Sequence, residues 1–168
     1  QGYASRLGFR GIEDLGGGMR ATFNLEQRFT PDNGNGIGQM WFGKSNVSLQ
    51  GPFGEVILGR DYIPAFYVAI QQDPFGYNTV GQMNALHTMA GYGAADGGIR
   101  NNNSVIYKSP VIAGGLTASA AMSLGEGARG QFGRSMGGNI EYRSGPIYVG
   151  AGIDQTKNNG VGDDPQLL

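Results

Sequence analysis

The connections between regular segments of this sequence sort by length in strict alternation. Those at 12–18, 51–54, 110–115 and 144–146 are short, whereas 30–38, 61–98, 125–134 and the stretch after 157 are long. The segments they join carry apolar and polar side chains in turn, the period of a strand with two unlike faces. Met19, Ala21, Phe23 and Leu25 oppose Arg20, Thr22, Asn24, Glu26 and Arg28, with Gln27 the one exception. Leu116, Ala118, Ala120, Met122 and Leu124 oppose Thr117, Ser119 and Ser123, and Ile140 and Tyr142 oppose Asn139, Glu141 and Arg143. Such segments number about eight, and most exceed the usual five or six residues. Long strands joined by tight turns at one end and long loops at the other form an antiparallel up-and-down sheet, the pattern of a transmembrane β-barrel. A soluble sandwich gives no reason for its connections to sort by end.

The stretch from Gly59 to Arg100 tests that expectation. Connections beyond about 15 residues are uncommon unless they are functional or disordered. Phe66, Tyr67, Ile70, Phe75, Tyr77, Met83, Leu86, Met89 and Tyr92 give this one more apolar weight than a solvated linker carries. It is expected to pack against something. The interior of an eight-stranded barrel is about filled by its own side chains, so a loop of this size implies a larger barrel, of which the chain is one domain's part.

Composition narrows the function. The 32 glycines among 168 residues suit a chain with many turns, and the 15% of charged residues with a net charge of −1 offers no basic field for nucleic acid. No window approaches a membrane-spanning helix, which leaves spanning by strands open, since those need only about 9 to 11 alternating residues. With no cysteine there is no disulfide scaffold, thiolate metal site or cysteine nucleophile.

Alternation alone does not say which face is interior. In a soluble β-protein the apolar face points in, whereas in a membrane barrel it meets lipid and the polar face lines the lumen. Small residues on the apolar face (Ala118, Ala120, Ala151) and aromatics near strand ends (Phe9, Trp41, Tyr107, Tyr142) favour the second arrangement. On that arrangement Arg6, Arg10, Arg20, Arg28, Lys44, Arg100, Lys108 and Arg143 share the lumenal parity, eight of the chain's 12 basic residues. The acids Glu13, Asp14, Asp32, Asp73, Asp96, Glu126, Asp163 and Asp164 fall in turns and loops. A basic wall is therefore expected inside a slightly acidic chain.

The ordered motifs SRLGFRG with EDLGGG, MRATFNLEQRF, FGKSNVSLQGPFGEVILGRD, DPFG, GIRNNNSVIYKSP and GGNIEYRSGP together resemble the Gram-negative general porins, in particular the neisserial-type and anion-selective branch. The resemblance implies a sixteen-stranded outer-membrane barrel, normally a homotrimer, whose third loop folds inward as the constriction, here 61–98. It implies passive diffusion of small hydrophilic solutes and anions, no cofactor and no catalysis. Against that pattern the first strand and the C-terminal half are expected to lie outside this sequence. By motif the constriction arginines correspond to Arg6, Arg60 and Arg100, with Lys44 beside them and Asp73 among the opposing acids; Arg10, Arg20, Arg28, Lys108 and Arg143 would line the pore wall. Strict alternation from Val56 and Leu58 points Arg60 toward lipid, so its role requires a bend or bulge at Gly59.

Rival readings are a plugged binding or structural barrel, an enzyme barrel built on His87, and a soluble sandwich. No nucleophile motif accompanies His87. The glycine runs GEGARG and GYGAADGG lack the strand and helix that a phosphate-binding loop needs, and GDDP lacks the spacing of a calcium loop.

Overall fold

The computed structural model describes residues 5–77, 99–124, 134–158 and 161–167. In chain order the elements are β1 (Ser5–Gly16), β2 (Met19–Phe29), β3 (Gly36–Ile37), β4 (Lys44–Gly51), β5 (Gly54–Tyr62), α1 (Pro64–Gln72), β6 (Arg100–Lys108), β7 (Leu116–Ser123), β8 (Ser135–Ser144), β9 (Ile147–Asn158) and β10 (Val161–Leu167). They make one antiparallel sheet in the order β1-β2-β4-β5-β6-β7-β8-β9-β10, with β3 paired to β2. Every strand on that path pairs with its sequence neighbours, as an up-and-down sheet requires. Several boundaries differ from expectation, among them the end of β5, which runs on to Tyr62. The first turn shrinks because β1 continues to Gly16, the connection after β2 folds back as the short β3, and the segment read as a terminal loop pairs with β9 as β10.

Cross-strand register shows how the faces are sorted. Phe23, Val47, Leu58, Val105, Met122 and Met136 are successive partners across β2 to β8, and all six are exposed. One residue along, Asn46, Gly59, Ser104, Ser123 and Ser135 form the next row, and every side chain in it is buried. Polar side chains are thus buried on one face while large apolar ones stand uncovered on the other, the reverse of a soluble sheet. Among the described residues no second sheet covers the apolar face, which a sandwich would need.

Gln27, the exception to the alternation, spends its polarity on backbone. Its Oε1 accepts from the Trp41 amide and its Nε2 donates to the Arg28 carbonyl at 2.8 Å. Aromatics cluster near the outer-face rims: Phe9 and Trp41 meet edge to face at 6.0 Å, and the Tyr107 hydroxyl donates to the Phe53 carbonyl at the short 51–54 turn.

Helix α1 lies on the polar face, against β7, β8 and β9. Pro64 opens it at a position where a missing N–H costs nothing. Asp73 closes it: the carboxylate accepts the amides of Phe75 and Tyr77, both at 2.9 Å, and its carbonyl accepts that of Gly76 at 3.0 Å. Ile63, Ala65, Phe66 and Tyr77 form a small buried core, with Tyr62, Ile70 and Ile99 packed on it.

The register slips between β5 and β6. Gly59 opposes Ser104 and Asp61 opposes Asn101, so Arg60 alone faces the pair Asn102 and Asn103. Gly59 takes φ of 119° and Asn103 takes φ of 49°, backbone that glycine and asparagine tolerate best. A Cβ at Gly59 would lie 2.3 Å from the Ser45 carbonyl oxygen. Gly59→Ala is therefore expected to destabilise the fold by about 2–3 kcal/mol, read as a lower unfolding temperature of the refolded protein in detergent; an unchanged midpoint would show that the slip is not strained.

Candidate functional site

The last three residues of β5 and the inner faces of β1, β2, β4 and β6 build one charged cluster. At its β1–β2 end Glu26, itself buried, accepts from Arg28 Nη2 at 3.1 Å and pairs with Arg6 Nη1 at 3.6 Å. Next to it, Lys44 Nζ sits 2.7 Å from Asp61 Oδ1 and 3.2 Å from the Tyr67 hydroxyl of α1. Asp61 is only 3% exposed. Its remaining bonds come from Asn46 Nδ2 at 2.9 Å, the Tyr62 amide at 2.7 Å and the Tyr67 hydroxyl at 3.1 Å. A buried ion pair survives desolvation only when its lone pairs are satisfied in this way.

Arg60, 5% exposed, donates from Nε to the Phe42 carbonyl at 2.9 Å and from Nη1 to Asn102 Oδ1 at 2.8 Å. Both acceptors are neutral oxygens, and together they orient the guanidinium. Its plane also lies 5.1 Å from the Phe42 ring. Arg100 reaches the Tyr62 hydroxyl at 2.7 Å and lies over that ring at 4.3 Å; Arg28 approaches the same hydroxyl at 3.4 Å. Lys108 completes the series over the Tyr67 ring at 4.4 Å.

The structure thus brings Arg6, Arg28, Lys44, Arg60, Arg100 and Lys108 onto one wall. Arg10 and Arg20 are exposed farther toward the short turns, where Arg20 is the register partner of Asp14. Arg143 lies under the C-terminal end of α1, donating to Gln71 Oε1 at 2.7 Å and stacking on Tyr148 at 4.9 Å. Asp73 serves as the cap of α1 described above. Of the stretch 61–98, Asp61 and Tyr62 complete β5 and 64–72 form α1, while His87 and the rest of 78–98 lie outside the described residues, as does GEGARG. Among the described residues no cluster of three or more His, Asp or Glu could hold a metal ion.

Glu26, Asp61, Tyr62 and Tyr67 were not singled out from sequence. Glu26 was legible as an inward residue of β2, and Asp61 follows the glycine where parity was expected to fail. The two tyrosines carry no motif that marks them.

Burial and then Asp61 push the Tyr67 phenol above the ordinary range, and burial followed by Asp73 pushes that of Tyr77 up to about 12. A raised phenol pKa favours the folded state below the ordinary value near 10, and that contribution is lost as pH rises toward 12. An alkaline titration of wild type against Tyr77→Phe should therefore differ by a phenol that ionises near pH 12; a difference spectrum centred at the ordinary value would contradict the buried setting. Asp73→Ala, which strips two amides of their acceptor, should cost about 1–2 kcal/mol of stability, checked by the same detergent unfolding measurement.

The sequence pattern of the Gram-negative porins matches residues 2–167. The chain is 41% identical over 158 residues to outer membrane porin protein 32 of Delftia acidovorans, covering 91% of this chain and 45% of that protein. It is 32% identical over 165 residues to an outer membrane porin protein of Bordetella pertussis, covering 90% of this chain and 42% of that one. A solved anion-selective porin from Comamonas acidovorans superposes with a TM-score of 0.81 at 38% identity, over 98% of this chain and 52% of the other. The chain spans about half the length of the relatives it matches.

Proposed function

The chain belongs to the Gram-negative porin family, and from that premise we propose that the full-length protein forms a water-filled channel through the outer membrane that passes small hydrophilic solutes and prefers anions. The observation that carries this reading is the wall of six cations, Arg6, Arg28, Lys44, Arg60, Arg100 and Lys108, set beside the carboxylates Glu26 and Asp61. An apolar outer face and a polar inner face suit a barrel in lipid, and α1 on the inner face suits a constriction element. The solved relative is itself described as anion-selective.

Arg6, Arg60 and Arg100 form the constriction with Lys44 beside them, and 61–98 is the constricting loop, with α1 within its described part, 61–77. Asp73 contributes by holding the end of that helix. Arg10, Arg20, Arg28, Lys108 and Arg143 line the wall, the latter two next to α1. The remaining strands belong to the part of the barrel beyond this chain, and the assembled protein is a homotrimer. Transport is passive. A local potential of about 1 kcal/mol per unit charge enriches anions and depletes cations each roughly fivefold, so no tight binding site is required and none of these residues needs a chemical step.

Reversal potentials of the full-length protein in a planar bilayer test this reading. Anion preference is expected, and replacing Arg60 and Arg100 by Gln should lower the anion-to-cation permeability ratio by about 3- to 5-fold. Cation preference in the wild type would overturn it, and so would the absence of both conductance and solute-driven liposome swelling, which is the behaviour of a plugged barrel.

A further inference from the structure

Strand β9 carries Gly150 and Gly152 at two successive inward positions, between the exposed Val149 and Ile153. Glycine inside a strand weakens it and often marks the close approach of another backbone. Here the approaching backbone is that of α1. A Cβ at Gly152 would lie 2.7 Å from Ala65 Cα and 3.2 Å from Ala65 Cβ, where ordinary contact begins at 3.4 Å. A Cβ at Gly150 would lie 3.1 Å from a Val68 methyl. Ala65 is fully buried in this seat.

Polar contacts pin the helix in the same place. Asn139 of β8 is the register partner of Gly152, and its Nδ2 donates to the Pro64 carbonyl at 2.8 Å. Its Oδ1 accepts the Ser119 amide of β7 at 3.1 Å, which fixes the side chain from the other flank. At the far end of the helix, Gln72 Nε2 donates to the Gly150 carbonyl at 3.4 Å. The helix is therefore held by hydrogen bonds at both ends and rests directly on the strand between them.

We infer that Gly150 and Gly152 set the aperture of the channel, acting as positioning residues that let α1 lie flat against the wall instead of standing out into the lumen. The inference rests on the channel reading above and adds a determinant of size selectivity that is separate from the charged wall. Packed backbone cannot absorb an added methyl by compression, so a side chain at Gly152 lifts the helix by roughly 1 Å toward the pore axis. Passage of solutes close to the pore diameter depends steeply on that distance. Arg6, Arg60 and Arg100 stand on β1, β5 and β6 and bond Glu26, the Phe42 carbonyl, Asn102 and Tyr62, contacts that lie outside α1.

The test uses the full-length protein with Gly150→Ala, Gly152→Ala and the double variant Ala65→Gly/Gly152→Ala. Single-channel conductance should fall about 1.5- to 2-fold in Gly152→Ala. Liposome swelling should slow more for larger sugars than for smaller ones, with an unchanged reversal potential. Gly150→Ala, which meets a methyl and the Tyr148 hydroxyl and not backbone, should show a smaller fall, and removing the Ala65 methyl, which relieves the 3.2 Å contact but leaves the 2.7 Å approach to Cα, should restore only a minor part of the conductance. Wild-type conductance and size dependence in folded Gly152→Ala would overturn the inference, as would a fall in conductance accompanied by an equal loss of selectivity. If Gly152→Ala does not fold, Gly150→Ala decides, and wild-type conductance in that variant overturns the inference. A wild-type protein that does not conduct would instead overturn the channel reading, so the two failures are distinguishable.

Discussion

The register slip that sets Arg60 against Asn102 and Asn103 breaks the alternation of β5 at that one residue. Up to Leu58 the strand alternates with Val56 and Leu58 outward, and without the slip Arg60 would follow them onto the apolar face. An arginine facing hydrocarbon costs about 2–4 kcal/mol near the bilayer midplane. With the slip, Arg60 and Asp61 are both buried on the inner face and the Tyr62 ring lies under Arg100. Asp61 then gathers Lys44, Asn46 and Tyr67, so the charged cluster and the helix are both hung on the same irregular turn of backbone. A regular strand could not have served both.

A wall with more cations than carboxylates has to tolerate its own repulsion. Aromatic rings supply part of the answer: Arg100 and Lys44 share the ring of Tyr62, Lys44 and Lys108 share that of Tyr67, and Arg60 and Arg100 share that of Phe42. Each ring face attracts a cation by about 0.5–2 kcal/mol without contributing a charge that would cancel the field. Carboxylates do the opposite. Glu26 and Asp61 balance Arg6, Arg28 and Lys44 with charge of opposite sign, so the cluster combines two ways of holding cations side by side.

Strand positions were legible because alternation and connection length are both direct consequences of a two-faced sheet between two solvents. The inward parity of Arg6, Arg28, Lys44, Arg100 and Lys108 followed from that pattern alone, whereas Arg60 needed a resemblance to other porins to suggest that parity breaks at Gly59. Helix α1 was not legible. PAFYVAIQQ is apolar on several sides, has no polar N-cap and lies in a stretch whose length suggests only a loop. Strand β10 was hidden for a different reason, since VGDDPQL carries no alternation and is a strand by virtue of pairing with β9. Asp61 shares the inward parity of Ile57 and Gly59, and its place at the start of the long connection is what made it look like a loop acid instead of the last inward residue of a strand.

Nearly all strand pairing in this chain joins sequence neighbours, so each hairpin can form as soon as its two strands exist. The seat of α1 is the exception, for Asn139 lies 75 residues after the Pro64 carbonyl that it binds. Until β8 and β9 are in place the helix lacks the strands it rests on, and Ala65 and Val68 lack the glycines they pack against. Docking of the loop therefore depends on strands that lie far along the sequence. In a barrel assembled strand by strand, a docked α1 therefore certifies that the wall has been laid down at least as far as β9.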